Sequence, residues 1–171
     1  MKISKKMQDA INAQINEEFA SSYIYLSMAA YSESENLSGM ATWMKLQAEE
    51  EIEHAMKFFN YVFERGGDVK LTAIKEPKDK WESPLNAFEE AYAHEQFITK
   101  KIHALADVAD ELDDLATESF LKWFIDEQVE EEATASNIVA QMKMVSESRD
   151  GLFMLDKELG QRVFVDATQA K

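Results

Sequence analysis

The chain has 171 residues, 46% of them hydrophobic, enough for one domain with a substantial core. Its 33 acidic and 18 basic side chains give a formal charge of −15, which argues against nucleic acid or an anionic membrane as partner and favours cations, although a solvated acidic surface has the same charge. The absence of cysteine excludes structural disulfides, Cys-rich zinc sites and thiolate-held iron–sulfur clusters, and it fits a reducing cytosol.

Five glycines and two prolines are few for this length and point to long helices. A first helix starts after Ser4, a suitable N-cap, and its inward stripe is Ile11, Ile15, Phe19, Ser22, Leu26 and Ala29. It ends near Ser34–Asn36. A second helix runs from about Ser38 to the stop at Gly66–Gly67. Residues 66–83 form a long connection, with a weak hint of strand over Asp68–Ile74. Ser83 and Pro84 form an N-cap and first-turn signal for a third helix. The acidic run DELDD, residues 110–114, breaks it from a fourth helix that reaches about Ser146. SESRDG reads as a loop and LFMLDKEL, residues 152–159, as a short fifth helix. The expected fold is all-α, an antiparallel four-helix bundle over about residues 5–146 with one long crossover and a short C-terminal fifth helix. Residues 161–171 follow as a tail, and the whole chain makes a single domain. The start MKISKKMQDAINAQ has no apolar stretch of signal-peptide length, and no apolar run approaches the roughly 18 residues of a membrane span, so the chain reads as soluble and cytoplasmic.

Equal distances from a turn mean equal heights in an antiparallel hairpin. With the first turn near residue 35, Glu18 and Glu51 lie at matching heights. With the second near residue 112, Glu95 and Gln128 do the same. Each helix thus offers a polar side chain about 25 Å from the turns at 1.5 Å per residue. Residues three apart share a helix face, so His54 joins Glu51, and Glu131 joins Gln128. Buried carboxylates and an imidazole are costly unless a cation holds them together, which points to one shared metal centre. Inward glutamates with a Glu-x-x-His motif are the established pattern of ferritin-like di-iron bundles, so the register matches a known arrangement. Oxygen ligands with one imidazole and no thiolate suit iron or manganese better than copper(I) or structural zinc.

Other residues carry two readings. Tyr25, seven residues after Glu18, is either a neighbour that hydrogen-bonds a ligand or passes an electron, or a core tyrosine with a satisfied hydroxyl. Glu50, Glu127 and Glu130 are either an accessory metal site or a solvated acidic face, with the site slightly favoured and Glu53 a weaker fourth member. His94 and His103 have no matching partners and read as surface residues. Trp43, Trp81 and Trp123 read as core or subunit contacts.

The segments NEEFASSYIYLSMA, AEEEIEHAMKFFNYVFERGG, AHEQFITKKIH, FIDEQVEEEA and LFMLDKEL resemble those of non-haem ferritins of the bacterial and archaeal type, and the resemblance spans residues 5–160. It implies a ferroxidase centre. Glu18, Glu51 and His54 would hold one iron, and Glu51, Glu95 and Glu131 a second, with Glu51 bridging. Gln128 would bond oxygen species or orient a ligand, and Tyr25 would stand beside the centre. Glu50, Glu127 and Glu130, helped by Glu131, match a third iron site. The implied activity is oxidation of ferrous iron by dioxygen or hydrogen peroxide, with ferric oxide stored inside a cage of 24 copies and an unidentified electron donor for release. Asp113, Asp114 and Glu118 are weak candidates for a channel lining that steers ferrous ions inward. Bacterioferritins carry a second Glu-x-x-H where this chain has Gln128-x-x-Glu131, and their haem methionine aligns with Ile52, so no haem is expected. Rubrerythrins need cysteines, DNA-protecting mini-ferritins lack the fifth helix, and animal light chains lack the ligands. A di-iron oxidase or peroxidase without mineral storage is the alternative, and a purely structural bundle a third reading.

Overall fold

The computed structural model describes residues 2–165. Helix α1 spans Lys5–Ser34, α2 Ser38–Glu64, α3 Pro84–Glu111, α4 Leu115–Val145 and α5 Arg149–Leu159. No strand forms among the described residues, and none of their helices is long and apolar enough to cross a membrane. The pairs α1·α2 and α3·α4 are hairpins, and α1 packs on α3 to join them into a four-helix bundle.

Local chemistry sets the boundaries. Ser4 accepts from the Met7 amide at 3.2 Å, and Ser83 accepts from the Asn86 amide at 3.1 Å with Pro84 in the first turn. Gly66 closes α2 with φ of 64°, and the Gly67 amide reaches back to the Val62 carbonyl at 2.9 Å. In the tight links, Asn36 and Asp113 adopt positive φ, which short polar side chains tolerate. The fifth helix begins three residues before the expected start at Leu152, because Ser148 caps it by accepting from the Gly151 amide at 3.0 Å.

The crossover does not form a strand over Asp68–Ile74. Its backbone is held by α1 side chains instead. Asn12 donates to the Asp68 carbonyl at 3.0 Å and accepts from the Lys70 amide at 2.9 Å, and the Ser27 hydroxyl donates to the Lys78 carbonyl at 2.6 Å. Inside, Ser22 and Ala29 are buried as expected, but Leu26 is exposed, because Tyr25 and Met28 take the inward positions of that turn.

Helix α5 docks on the start of α2. Leu37 provides no side-chain cap there, and the buried Asp156 carboxylate accepts from the Met40 amide at 2.8 Å, placing an anion at a helix N-terminus. The approach is so close that a Cβ on Gly39 would lie 1.7 Å from the Asp156 carbonyl oxygen.

Two apolar clusters fill the bundle. One, with Met28, Met40, Trp43, Phe88 and Met142, lies toward α5. The other, with Met7, Ile11, Phe58, Ile102, Leu121 and Phe124, fills the opposite end. Trp43 and Trp81 are buried and Trp123 is half-buried. The polar layer between the clusters contains the matched glutamates. Of the expected tail, residues 161–165 follow α5 without regular helix or strand, and residues 166–171 lie outside the described residues.

Candidate metal centre

All four helices contribute buried polar side chains to this layer. Glu18 and Glu95 are 1% exposed, Glu51 2%, His54 3%, Gln128 5% and Glu131 7%. The equal-height register therefore brings the six matched positions inside. Ligand atoms of Glu18, Glu51 and His54 all lie within 4.8 Å of one another, as do those of His54, Glu127 and Glu131. His54 belongs to both groups. Its Nδ1 lies 3.6 Å from Glu51 Oε2, and its ring stands edge-on to Trp123 at 5.5 Å between centroids.

Neutral donors orient most of the carboxylates. Gln14 donates to Glu18 Oε1 at 2.8 Å. Gln47 donates to Glu131 Oε2 at 2.9 Å and, more weakly, to Glu51 Oε1 at 3.4 Å. The Tyr25 hydroxyl donates to Glu95 Oε1. Gln128 Nε2 bonds the Glu95 carbonyl at 3.3 Å and Glu95 Oε2 at 3.4 Å. Glu18 Oε2 is the single buried side-chain oxygen or nitrogen without a hydrogen-bond partner among the described residues. A buried carboxylate oxygen with no donor beside it, among further carboxylates, is suited to binding a cation.

The electrostatics agree. Burial, then the charge of a neighbouring carboxylate, pushes Glu18, Glu51, Glu95 and Glu131 each up to about 8. The strongest neighbour is Glu51 for Glu18 and Glu95, Glu131 for Glu51, and Glu95 for Glu131. Burial, then Glu95, holds the Tyr25 phenol well above its usual value, so it stays protonated and donates. Four carboxylates and one imidazole form a hard, oxygen-rich donor set that fits iron or manganese.

A family model for the ferritin-like domain matches residues 8–145. The chain belongs to the ferritin family. It is 46% identical over 160 residues to a bacterial non-heme ferritin of Bacteroides fragilis, covering 94% of this chain and 99% of the relative. An open pore ferritin from the archaeon Archaeoglobus fulgidus superposes with a TM-score of 0.94 at 50% identity, over 95% of this chain and 100% of that one. A closed form of the same archaeal ferritin, engineered by mutagenesis, superposes with a TM-score of 0.95 at 51% identity, over 96% and 100%.

Within this ferritin fold the remaining candidates divide. Glu127 is half-buried beside His54 and Glu131, whereas Glu130 is exposed and falls in neither ligand-distance group. Glu50 is ion-paired with Arg162, and Glu53 is half-buried. His103 is exposed, as expected. His94 is not a surface residue: it is half-buried, 2.8 Å from the Ser21 hydroxyl and edge-on to Tyr25 at 6.1 Å, because the crossover lies beside it. Burial lowers it to about 4, against the charge of Glu17, so it is neutral at pH 7. Asp113 is exposed and Glu118 half-buried, but Asp114 is committed elsewhere, accepting from Arg65 at 3.0 Å and from the Thr117 hydroxyl at 2.8 Å.

Gln14, Gln47 and Arg162 belong to the site and were not singled out in the sequence. The first two had a signal. Each is an amide four residues before a matched glutamate, on the same helix face.

Proposed function

We propose that the chain stores iron, oxidising ferrous ions at a paired metal centre and depositing the ferric product inside a cage of 24 copies. The observation that carries the reading is the orphaned Glu18 oxygen within a buried layer of four carboxylates and His54. In this reading the whole chain acts as one ferritin-like domain. Glu18, Glu51 and His54 hold one ferrous ion, Glu51, Glu95 and Glu131 hold the second, and Glu51 bridges. Ferrous iron is the substrate, and dioxygen or hydrogen peroxide takes its electrons. Paired cations lower the charge repulsion among these glutamates, so binding releases the protons that burial retains. Gln14 and Gln47 orient Glu18, Glu131 and Glu51, while Tyr25 and Gln128 orient Glu95. Glu50, Glu127 and Glu130, with Glu131, form a third iron position, and of these Glu127 and Glu131 lie at ligand distance from each other and from the neighbouring His54. No haem is part of this reading.

The test is a ferrous titration without oxygen, followed by admission of air. Two tightly bound ions per chain and a fast oxidation that saturates at that ratio are expected. Binding of fewer than two ions, or oxidation no faster than in buffer, would overturn the reading.

A further inference from the structure

Glu50, beside the centre, is paired with a cation of the chain itself. Arg162, three residues past the end of α5, sends its guanidinium back to α2. Nη2 donates to Glu50 Oε2. Nη1 donates to Gln47 Oε1 at 2.9 Å and grazes the Trp43 carbonyl at 3.4 Å. The guanidinium also lies 4.6 Å from the centroid of the Trp43 ring. Its side chain is 21% exposed and that of Glu50 is 16% exposed, so this is a sheltered pair rather than a loose surface one. The contacts use both nitrogens of the guanidinium fork, an arrangement that the single point charge of lysine does not reproduce.

Two features bear on what this pair does. Gln47 links Arg162 to the centre, since its carbonyl oxygen accepts from Arg162 while its amide nitrogen bonds Glu131 and Glu51. Glu50 is absent from both ligand-distance groups, although Glu127, His54 and Glu131 form one of them.

From this arrangement we infer that Arg162 is a tethered stand-in cation at the outer site, and that a divalent metal gains Glu50 as a ligand only by displacing it. Arg162 is thus a positioning residue. Occupation of the outer site is coupled to release of the segment after α5, and that coupling keeps the outer site weaker than the inner pair. The inference rests on the paired-centre reading above.

Zinc, which is redox-silent, tests it by calorimetric titration of the metal-free assembly. The parent protein is expected to bind two equivalents tightly and a third more weakly. Arg162→Ala is expected to tighten the third equivalent about three- to tenfold, as removal of a partly sheltered ion pair would, with the first two changed less than the third. Millimolar guanidinium added to Arg162→Ala is expected to weaken the third equivalent again, and to leave the parent unaffected. Arg162→Lys is expected to fall between the two. An unchanged or weaker third equivalent in Arg162→Ala, or no response of that variant to guanidinium, would overturn the inference while leaving the inner pair standing. Failure of the parent to bind the first two equivalents would overturn the paired-centre reading and this inference together.

Discussion

The inner and outer acidic groups share His54 and Glu131 but are balanced in opposite ways. The inner glutamates are almost fully buried, and their hydrogen bonds come from neutral groups: Gln14, Gln47, Tyr25 and Gln128. Outside them, Glu50 is paired with the guanidinium of Arg162. Neutral donors orient a carboxyl without offsetting the charge it gains on losing its proton, so the inner carboxyls stay raised to about 8. The outer group has a cation supplied by the fold. The same residue type, a glutamate on α2, is thereby held by a neutral amide at position 51 and by a guanidinium at position 50.

Breaking the inner group has the largest expected effect. Glu51 is the proposed bridge, and Glu51→Ala is expected to slow the initial ferrous oxidation by roughly two orders of magnitude or more, since even supporting residues of metal sites typically contribute about 10- to 100-fold. Stopped-flow absorbance at low iron checks this, and retention of the fast phase would remove Glu51 from that role.

A pH series sharpens the contrast next. The four inner carboxyls sit at about 8 in the folded chain against an ordinary 4.5. A group raised on folding contributes its stability below its unfolded value and loses it as pH climbs through the folded one. The metal-free protein is therefore expected to lose thermal stability from about pH 5 to about pH 8 and to level off above that, and zinc loading is expected to flatten that slope. Calorimetric melting with and without zinc reads both, and a metal-free stability that rises over that range would contradict the electrostatic picture.

Smaller changes separate the two groups. Glu127→Gln is expected to weaken the third metal equivalent by about tenfold and the first two far less. Equal weakening of all three would mean that inner and outer sites are one unit. Gln14→Ala, which removes the neutral partner of Glu18, is expected to have the smallest effect on metal binding, with a loss of about 1–3 kcal/mol of stability in the metal-free state.

The helices and the register were legible in the sequence because both follow from local signals. Ser4, Gly66 with Gly67, and Ser83 with Pro84 mark the helix ends, and equal counts from two turns place Glu18, Glu51, Glu95 and Gln128 at one height. What escaped was settled by contacts between distant segments. Asp156 caps α2 from 116 residues away, and Arg162 meets Glu50 across 112. No periodicity or spacing rule reports such pairs. His94 was misplaced for the same reason, since the crossover that lies beside it has no regular structure from which its path could be read. Leu26 went wrong differently: helical spacing counted through Ser22 chose it over Tyr25, whose ring is buried while its hydroxyl reaches Glu95.

The central claim is storage, and iron retention tests it most directly. The protein would be loaded with ferrous iron in air, desalted, and assayed for iron per chain in the soluble assembly. Retention far beyond the ligand sets of the inner and outer sites is the expected result and requires an enclosed mineral. A plateau at two or three irons per chain would contradict storage and leave a di-iron oxidase or peroxidase in its place.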